Sequence, residues 1–232
     1  MCGRYYRRSE KQRIAEAFRI GVPPSFEIPP DYNVAPSTMQ PVVVEDRDSG
    51  ERALRLMRWG LIPSWCGDPK TLGVSTINAK AESVMTKPIW RVPFTKRRCL
   101  VPADGFYEWE KLGSKTKQPW AFALQSGEPF AFAGLWERWK APDHQSELDT
   151  YSIITTEANE LASSVHDRMP VILMPRDYER WLHRDDAARP PIDLLRPYDS
   201  ALMQSWRVSP AVGNVRNNAP DLLEPTPSTT LF

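Results

Sequence analysis

Five places in this sequence hold reactive or hydrogen-bonding side chains in unusual settings. Cys2 stands directly behind Met1 in MCGR, with Arg4 two positions on. A thiol at a chain end is either an accident of a frayed terminus or a reagent whose chemistry needs that terminus. Glu108 lies inside GFYEWEK, where it shares one strand face with Phe106 and Glu110, while Tyr107 and Trp109 share the other. On a solvent face Glu108 is ordinary; on a buried face its carboxyl needs a partner or a raised pKa. His166, in VHDRMP, is either a capping residue or the best acid–base group among three histidines. Of the other two, His144 sits in the polar loop APDHQSE and His183 near the end of an amphipathic helix. Asn33 in DYNVAPS and Asn78 in INAKAES are each explained as well by turn chemistry as by function.

The bulk composition narrows the classes. With 232 residues, 41% hydrophobic and 25% charged, the chain is long enough for one large domain with a sizeable core. Its 30 Lys+Arg against 29 Asp+Glu give a net charge of +1, so only local clustering can speak for an anionic partner. Arg4, Arg7, Arg8, Lys11 and Arg13 form one such cluster and Lys96, Arg97 and Arg98 another. These permit a phosphate-binding stripe without requiring one. No apolar run approaches the roughly 20 residues of a membrane span. MCGRYYRRSEKQR is too charged for a signal peptide, so a cytoplasmic location is expected. Cys2, Cys66 and Cys99 have neither CxxC pairing nor metal-ligand spacing, so neither a disulfide framework nor a zinc site is expected. No other cofactor is called for.

The elements that must position these residues read as follows. SEKQRIAEAF predicts a helix, with Ser9 as cap and Gln12 completing a capping box. VPPSFEIPPDYNVAPST is proline-rich and mostly loop. PVVVE and ALRLMRW predict strands, and RRCLVPADGFYEWEK predicts strand, turn, strand. Residues 60–90 have weak periodicity and read as a long structured loop. PWAFAL and PFAFAGLWERW predict two strands joined by SGE as a hairpin turn. YSIITT, VILM and SWRVSP predict further strands, with short helices from about Glu157, over PRDYERWLH and over IDLLRPY. From Ala219 the chain reads as a solvated tail. With 23 prolines and nine tryptophans, the sum is a single α+β domain of mainly antiparallel strands with a few peripheral helices and proline-rich loops.

Taken together, MCGRY, YNVAPS, RWGLIPSW, INAKAES, VPADGFYEW, VHDRMPVIL and AVGNVRNN resemble the SRAP (SOS response-associated peptidase) family of abasic-site processing proteins. The resemblance runs from Cys2 to about Leu223, leaving 224–232 as an expected flexible tail. It implies binding to abasic sites in single-stranded DNA, as part of the DNA damage response. It also implies a covalent crosslink through the cysteine that becomes N-terminal once Met1 is removed. By matching motifs, Cys2 corresponds to the nucleophile, Asn78 to the lesion-sensing asparagine, Glu108 to the catalytic glutamate and His166 to the catalytic histidine. Arg4, Asn33 and Thr155 match positions lining the DNA or lesion pocket, and Trp65 in GLIPSW offers a ring to stack on bases. Lys80 stands where the family commonly has arginine; it keeps the charge but loses the two-pronged grip on phosphate. The resemblance further implies peptidase-like self-processing, lyase-type chemistry, a monomer and no membrane partner.

The implied chemistry explains a terminal cysteine. An abasic sugar opens to an aldehyde, and an N-terminal cysteine offers an amine and a thiol on adjacent carbons that close on it as a thiazolidine ring. An α-amine has a pKa of about 7.7–8.0, so a useful fraction is unprotonated at neutral pH. The competing expectations are an N-terminal-nucleophile amidohydrolase, which also begins Met-Cys-Gly, and a non-covalent single-stranded DNA-binding module. This chain lacks the His-Arg-Gly and Asn-Gly elements of the first.

Overall fold

The computed structural model describes residues 2–21, 24–46, 49–113, 116–143, 146–183 and 189–226. Met1, His144 and Pro227–Phe232 of the expected tail lie outside them. In chain order the strands are β1 (Tyr5–Arg7), β2 (Asp31–Val34), β3 (Met39–Glu45), β4 (Arg52–Trp59), β5 (Asn78–Lys80), β6 (Arg98–Ala103), β7 (Gly105–Lys111), β8 (Lys117–Leu124), β9 (Phe130–Lys140), β10 (Glu147–Glu157), β11 (Arg168–Pro170), β12 (Ile172–Leu173) and β13 (Met203–Arg207). The α-helices are α1 (Lys11–Ala17), α2 (Pro88–Lys96), α3 (Glu160–Ser163) and α4 (Tyr178–Leu182). No helix among the described residues is long and apolar enough to cross a membrane.

Two sheets organise this α+β domain. One has the order β13-β8-β7-β1-β2. In the other, β10-β4-β3-β6-β9 closes on itself because β9 also pairs with β10, making a barrel flanked by β11, β12 and β5. Pairing is antiparallel except where β10 runs parallel to β4 and β5. β10 (ELDTYSIITTE) is buried from Thr150 to Thr156, as a strand covered on both faces must be. β7 alternates as its sequence requires. Phe106 joins the core between the sheets and stacks on Phe122 with ring centroids 4.9 Å apart, a contact worth about 0.5–1.5 kcal/mol beyond its burial. Tyr107 points the other way, into a smaller core with Tyr6, Val208, Val212 and Leu222. At Gly105 any Cβ would collide with Tyr6 Oη and the Phe122 carbonyl, so only glycine lets β1 lie against β7 here.

Several expectations are corrected. Ser9 does not cap α1: its hydroxyl and amide both bond Asp104, at 2.7 and 2.8 Å, and Glu10 stands at the N-cap without a side-chain cap bond. β8 and β9 are not a hairpin. β8 pairs with β7 and β13 while β9 pairs with β6, β10 and β12, so the SGE turn carries the chain from one sheet to the other. Residues 60–90 do not end as loop, because α2 begins at Pro88. Pro93 inside α2 hides its helical pattern. Arg98 caps the helix by donating to the Phe94 and Thr95 carbonyls at its C-terminal end, and donates to Trp181 and His183 at the end of α4. Ala219 does not begin a solvated tail: Leu222 is buried and the Thr226 amide donates to the Arg207 carbonyl.

Candidate active site

Cys2 is fully buried where β1 begins, between β5 and β7. Its backbone carbonyl accepts a hydrogen bond from Asn78 Nδ2 at 2.8 Å. Its Sγ lies 3.7 Å from the Arg4 carbonyl, which also accepts the Tyr107 amide at 3.0 Å. Burial pushes the thiol far above its ordinary range, and the nearby Glu108 charge pushes it further, so the thiol is protonated at neutral pH. Asn78 owes its position to β5, which runs parallel to β10 with Asn78 opposite Ile153. Its Oδ1 is buried without a protein partner among the described residues.

Glu108 is 4% exposed, and burial raises its carboxyl to about 7. It therefore exchanges a proton near neutrality, a range an exposed glutamate does not reach. Asp167, next to His166, adds to the rise and so ties the His166 loop to Glu108. That loop follows α3, capped by Asn159 Oδ1 accepting from the Ala162 amide at 2.9 Å. Nδ1 of His166 lies 3.0 Å from the Arg168 amide and 2.7 Å from Asp167 Oδ1, contacts that ask for opposite proton states. The amide hydrogen is fixed, whereas the Asp167 side chain is 85% exposed and can turn away. Nδ1 thus keeps its lone pair and the ring hydrogen is on Nε2. Burial lowers the His166 pKa, which agrees with a neutral ring.

Two charged side chains beside this centre went unassigned in the sequence. Arg168 makes a bidentate pair with Glu82 at 2.5 and 3.0 Å, and its Nη2 donates to the Thr155 carbonyl at 2.7 Å. Both lie inside motifs already singled out, HDRMP and INAKAES, which was the available signal. Thr155, opposite Lys80 across the β5–β10 pairing, is fully buried with Oγ1 unpartnered among the described residues.

An apolar cleft of about 400 Å³ adjoins this centre, lined among others by Asn78, Lys80, Trp65, Val74, Lys87 and Trp90. Trp65 is 67% exposed and Val74 63%, both costly in water unless something covers them. A cavity of about 570 Å³ lies on the other side of Trp65. There Arg97 pairs with Glu137, Arg138 with Asp149 and Lys140 with Glu147, so its cations are already neutralised. Of the sequence-predicted residues, Cys2, Asn78, Glu108 and His166 converge, and Lys80 and Trp65 share the adjoining cleft. Asn33 and Arg4 form a separate group: Asn33 is buried and bonded to Arg4 Nη1 at 2.6 Å.

A family model described as SOS response associated peptidase (SRAP) matches residues 1–215. The abasic site processing protein YoqW of Bacillus subtilis (strain 168) is 44% identical over 226 residues, spanning 97% of this chain and 99% of its own. The abasic site processing protein HMCES of Mus musculus is 34% identical over 232 residues, spanning 84% of this chain and 65% of its own. A crystal structure of a Bacteroides thetaiotaomicron protein superposes with a TM-score of 0.84 at 25% identity, over 97% of this chain and 100% of that one.

Proposed function

The chain belongs to the SRAP family, and from that premise we propose that it processes abasic sites in DNA by crosslinking to them through Cys2. The observation that carries this reading is the grip of Asn78 on the Cys2 backbone carbonyl. A bond to that carbonyl fixes the Cα of Cys2, and with it both the amine and the thiol, without consuming either.

Once Met1 has been removed, the free amine of Cys2 adds to the ring-opened sugar aldehyde and forms a carbinolamine. Loss of water from the carbinolamine gives an imine. The Cys2 sulfur then adds to the imine carbon while its proton passes to the nitrogen, closing a thiazolidine with one water as the other product. Glu108, buried and titrating at about 7, takes the amine's proton and returns it to the departing hydroxyl. His166, neutral, handles the sugar oxygens. Because the buried thiol holds its proton, the amine reacts first and the sulfur follows as a neutral thiol whose proton leaves during ring closure. The adjoining cleft takes the strand, with Trp65 stacking on a base and Lys80 meeting a phosphate. A single strand suits this site because the lesion must leave any stack to enter it.

Purified protein, with Met1 loss checked by mass spectrometry, is incubated with single-stranded DNA carrying one abasic site and run on a denaturing gel. A shifted band that disappears in Cys2→Ala is expected. Binding without any such band would leave a non-covalent module and end the crosslinking reading. A blocking N-terminal tag should also abolish the band; if it does not, the aminothiol chemistry is wrong.

A further inference from the structure

The motif AVGNVRNN takes no part in the chemistry above, yet a line of hydrogen bonds leads from it to Cys2. Arg4 Nη1 donates to Asn33 Oδ1 at 2.6 Å and to the Val212 carbonyl at 2.9 Å. Asn33 Nδ2 faces the carbonyls of Val212, Asn214 and Asn217 at 3.2, 3.0 and 2.7 Å. Asn217 Nδ2 folds back to the Ala211 carbonyl at 2.8 Å, and Asn218 Oδ1 accepts the Tyr32 amide at 2.7 Å. An amide group has two N–H donors, so with three carbonyls in reach Asn33 has no donor left for a ligand. It is also 4% exposed.

We propose that residues 211–218 form a clasp that positions Cys2, with Asn33 a positioning residue acting through Arg4 and not a DNA contact. The proposal rests on the crosslinking reading above. β1 has three residues, and its pairing with β2 shifts register between Tyr5 and Arg7. Such a short, irregular strand next to a chain end frays unless it is tied down. The clasp ties it. Its Val212 is anchored in the small core with Tyr6, Tyr107 and Leu222, and its carbonyls hold the Arg4 side chain through Asn33. The Arg4 backbone carbonyl faces the Cys2 thiol. A nucleophile must be held to a fraction of an ångström, so loosening the clasp degrades the reaction more than binding.

The test is single-turnover crosslinking to the abasic strand over a range of protein concentrations, which separates the maximal rate constant from the half-saturating concentration. Alongside it, the affinity for the same strand carrying tetrahydrofuran, which has no aldehyde, reports binding alone. The variants are Asn33→Ala and Asn217→Ala; the second leaves both Asn33 and Arg4 intact, so it decides the matter if the first fails to fold. The maximal rate constant should fall roughly ten- to hundredfold in a folded variant. The tetrahydrofuran affinity should stay within about threefold of wild type. A rate constant also within about threefold of wild type would overturn the clasp, as would an affinity loss that accounts for the whole defect. Wild-type protein that makes no crosslink removes the functional reading and the clasp together, which distinguishes the two failures.

Discussion

Replacing Glu108 with Gln should stabilise the protein at neutral pH while slowing its reaction. Glu108 is 4% exposed and its carboxyl is raised by burial from the ordinary 4.5 to about 7. Between these values the native state holds a proton that the unfolded chain has released, so unfolding free energy falls as pH rises through this window. The penalty is absent below about pH 4.5 and complete above about 7; at one pKa unit per 1.36 kcal/mol it reaches roughly 3 kcal/mol. Gln keeps the shape and does not titrate. Urea unfolding of both proteins from pH 4 to pH 8 should give curves that meet at the acid end. They should diverge toward pH 8, with Glu108→Gln the more stable by up to about 3 kcal/mol. Its crosslinking rate should fall by the 10²–10⁴ typical of a lost general acid–base group. A stability difference that stays flat across this range would refute the reasoning. Glu108 would then titrate in the native state as it does in the unfolded chain, near 4.5, and it could not shuttle a proton near neutrality.

Asn78→Ala removes the 2.8 Å bond to the Cys2 carbonyl and should slow crosslinking roughly ten- to hundredfold with little loss of DNA affinity, as read by single-turnover kinetics. Trp65→Ala, at a residue 67% exposed, should leave the unfolding midpoint unchanged. It should weaken single-strand binding by the roughly 1–3 kcal/mol of a base–aromatic stack, measurable by fluorescence anisotropy. Lys80→Ala should flatten the plot of log affinity against log salt by about 0.7, because one phosphate fewer is neutralised on binding. Gly134→Ala places a Cβ 2.7 Å from Cys99 Sγ and 2.9 Å from Val101 Cγ2, and should destabilise the fold by roughly 1–3 kcal/mol in urea titrations.

What could be read from the sequence was local, and what could not was settled by distant partners. The two faces of β7 followed from alternation alone, and Phe106 and Tyr107 duly enter different cores. Ser9 had the right spacing to cap α1, but Asp104, 95 positions away in sequence, offers it a carboxylate. β8 and β9 are both apolar, and nothing between them says that they belong to different sheets. α2 was hidden by Pro93, and Leu222 looked like part of a tail until the core that receives it was formed. At the site, the residue types and motifs pointed to Cys2, Asn78, Glu108 and His166, while the grip of Asn78 on the Cys2 carbonyl needs the parallel β5–β10 pairing. Asn33 was legible as unusual but not as part of a clasp, because its partners are main-chain carbonyls some 180 residues away.

The pairing of β1 with β7 also sets an order of events during synthesis. Tyr5 finds its place opposite Phe106, so β1 cannot dock until about 100 further residues have been made. At 5–20 residues per second that interval lasts roughly 5–20 s. Throughout it the segment bearing Cys2 has only β2 to pair with, lacks the β7 side of its sheet, and stays open to processing enzymes. On the proposed chemistry, the burial that shields the thiol in the finished fold therefore comes after the stage at which the residue ahead of it is to be reached.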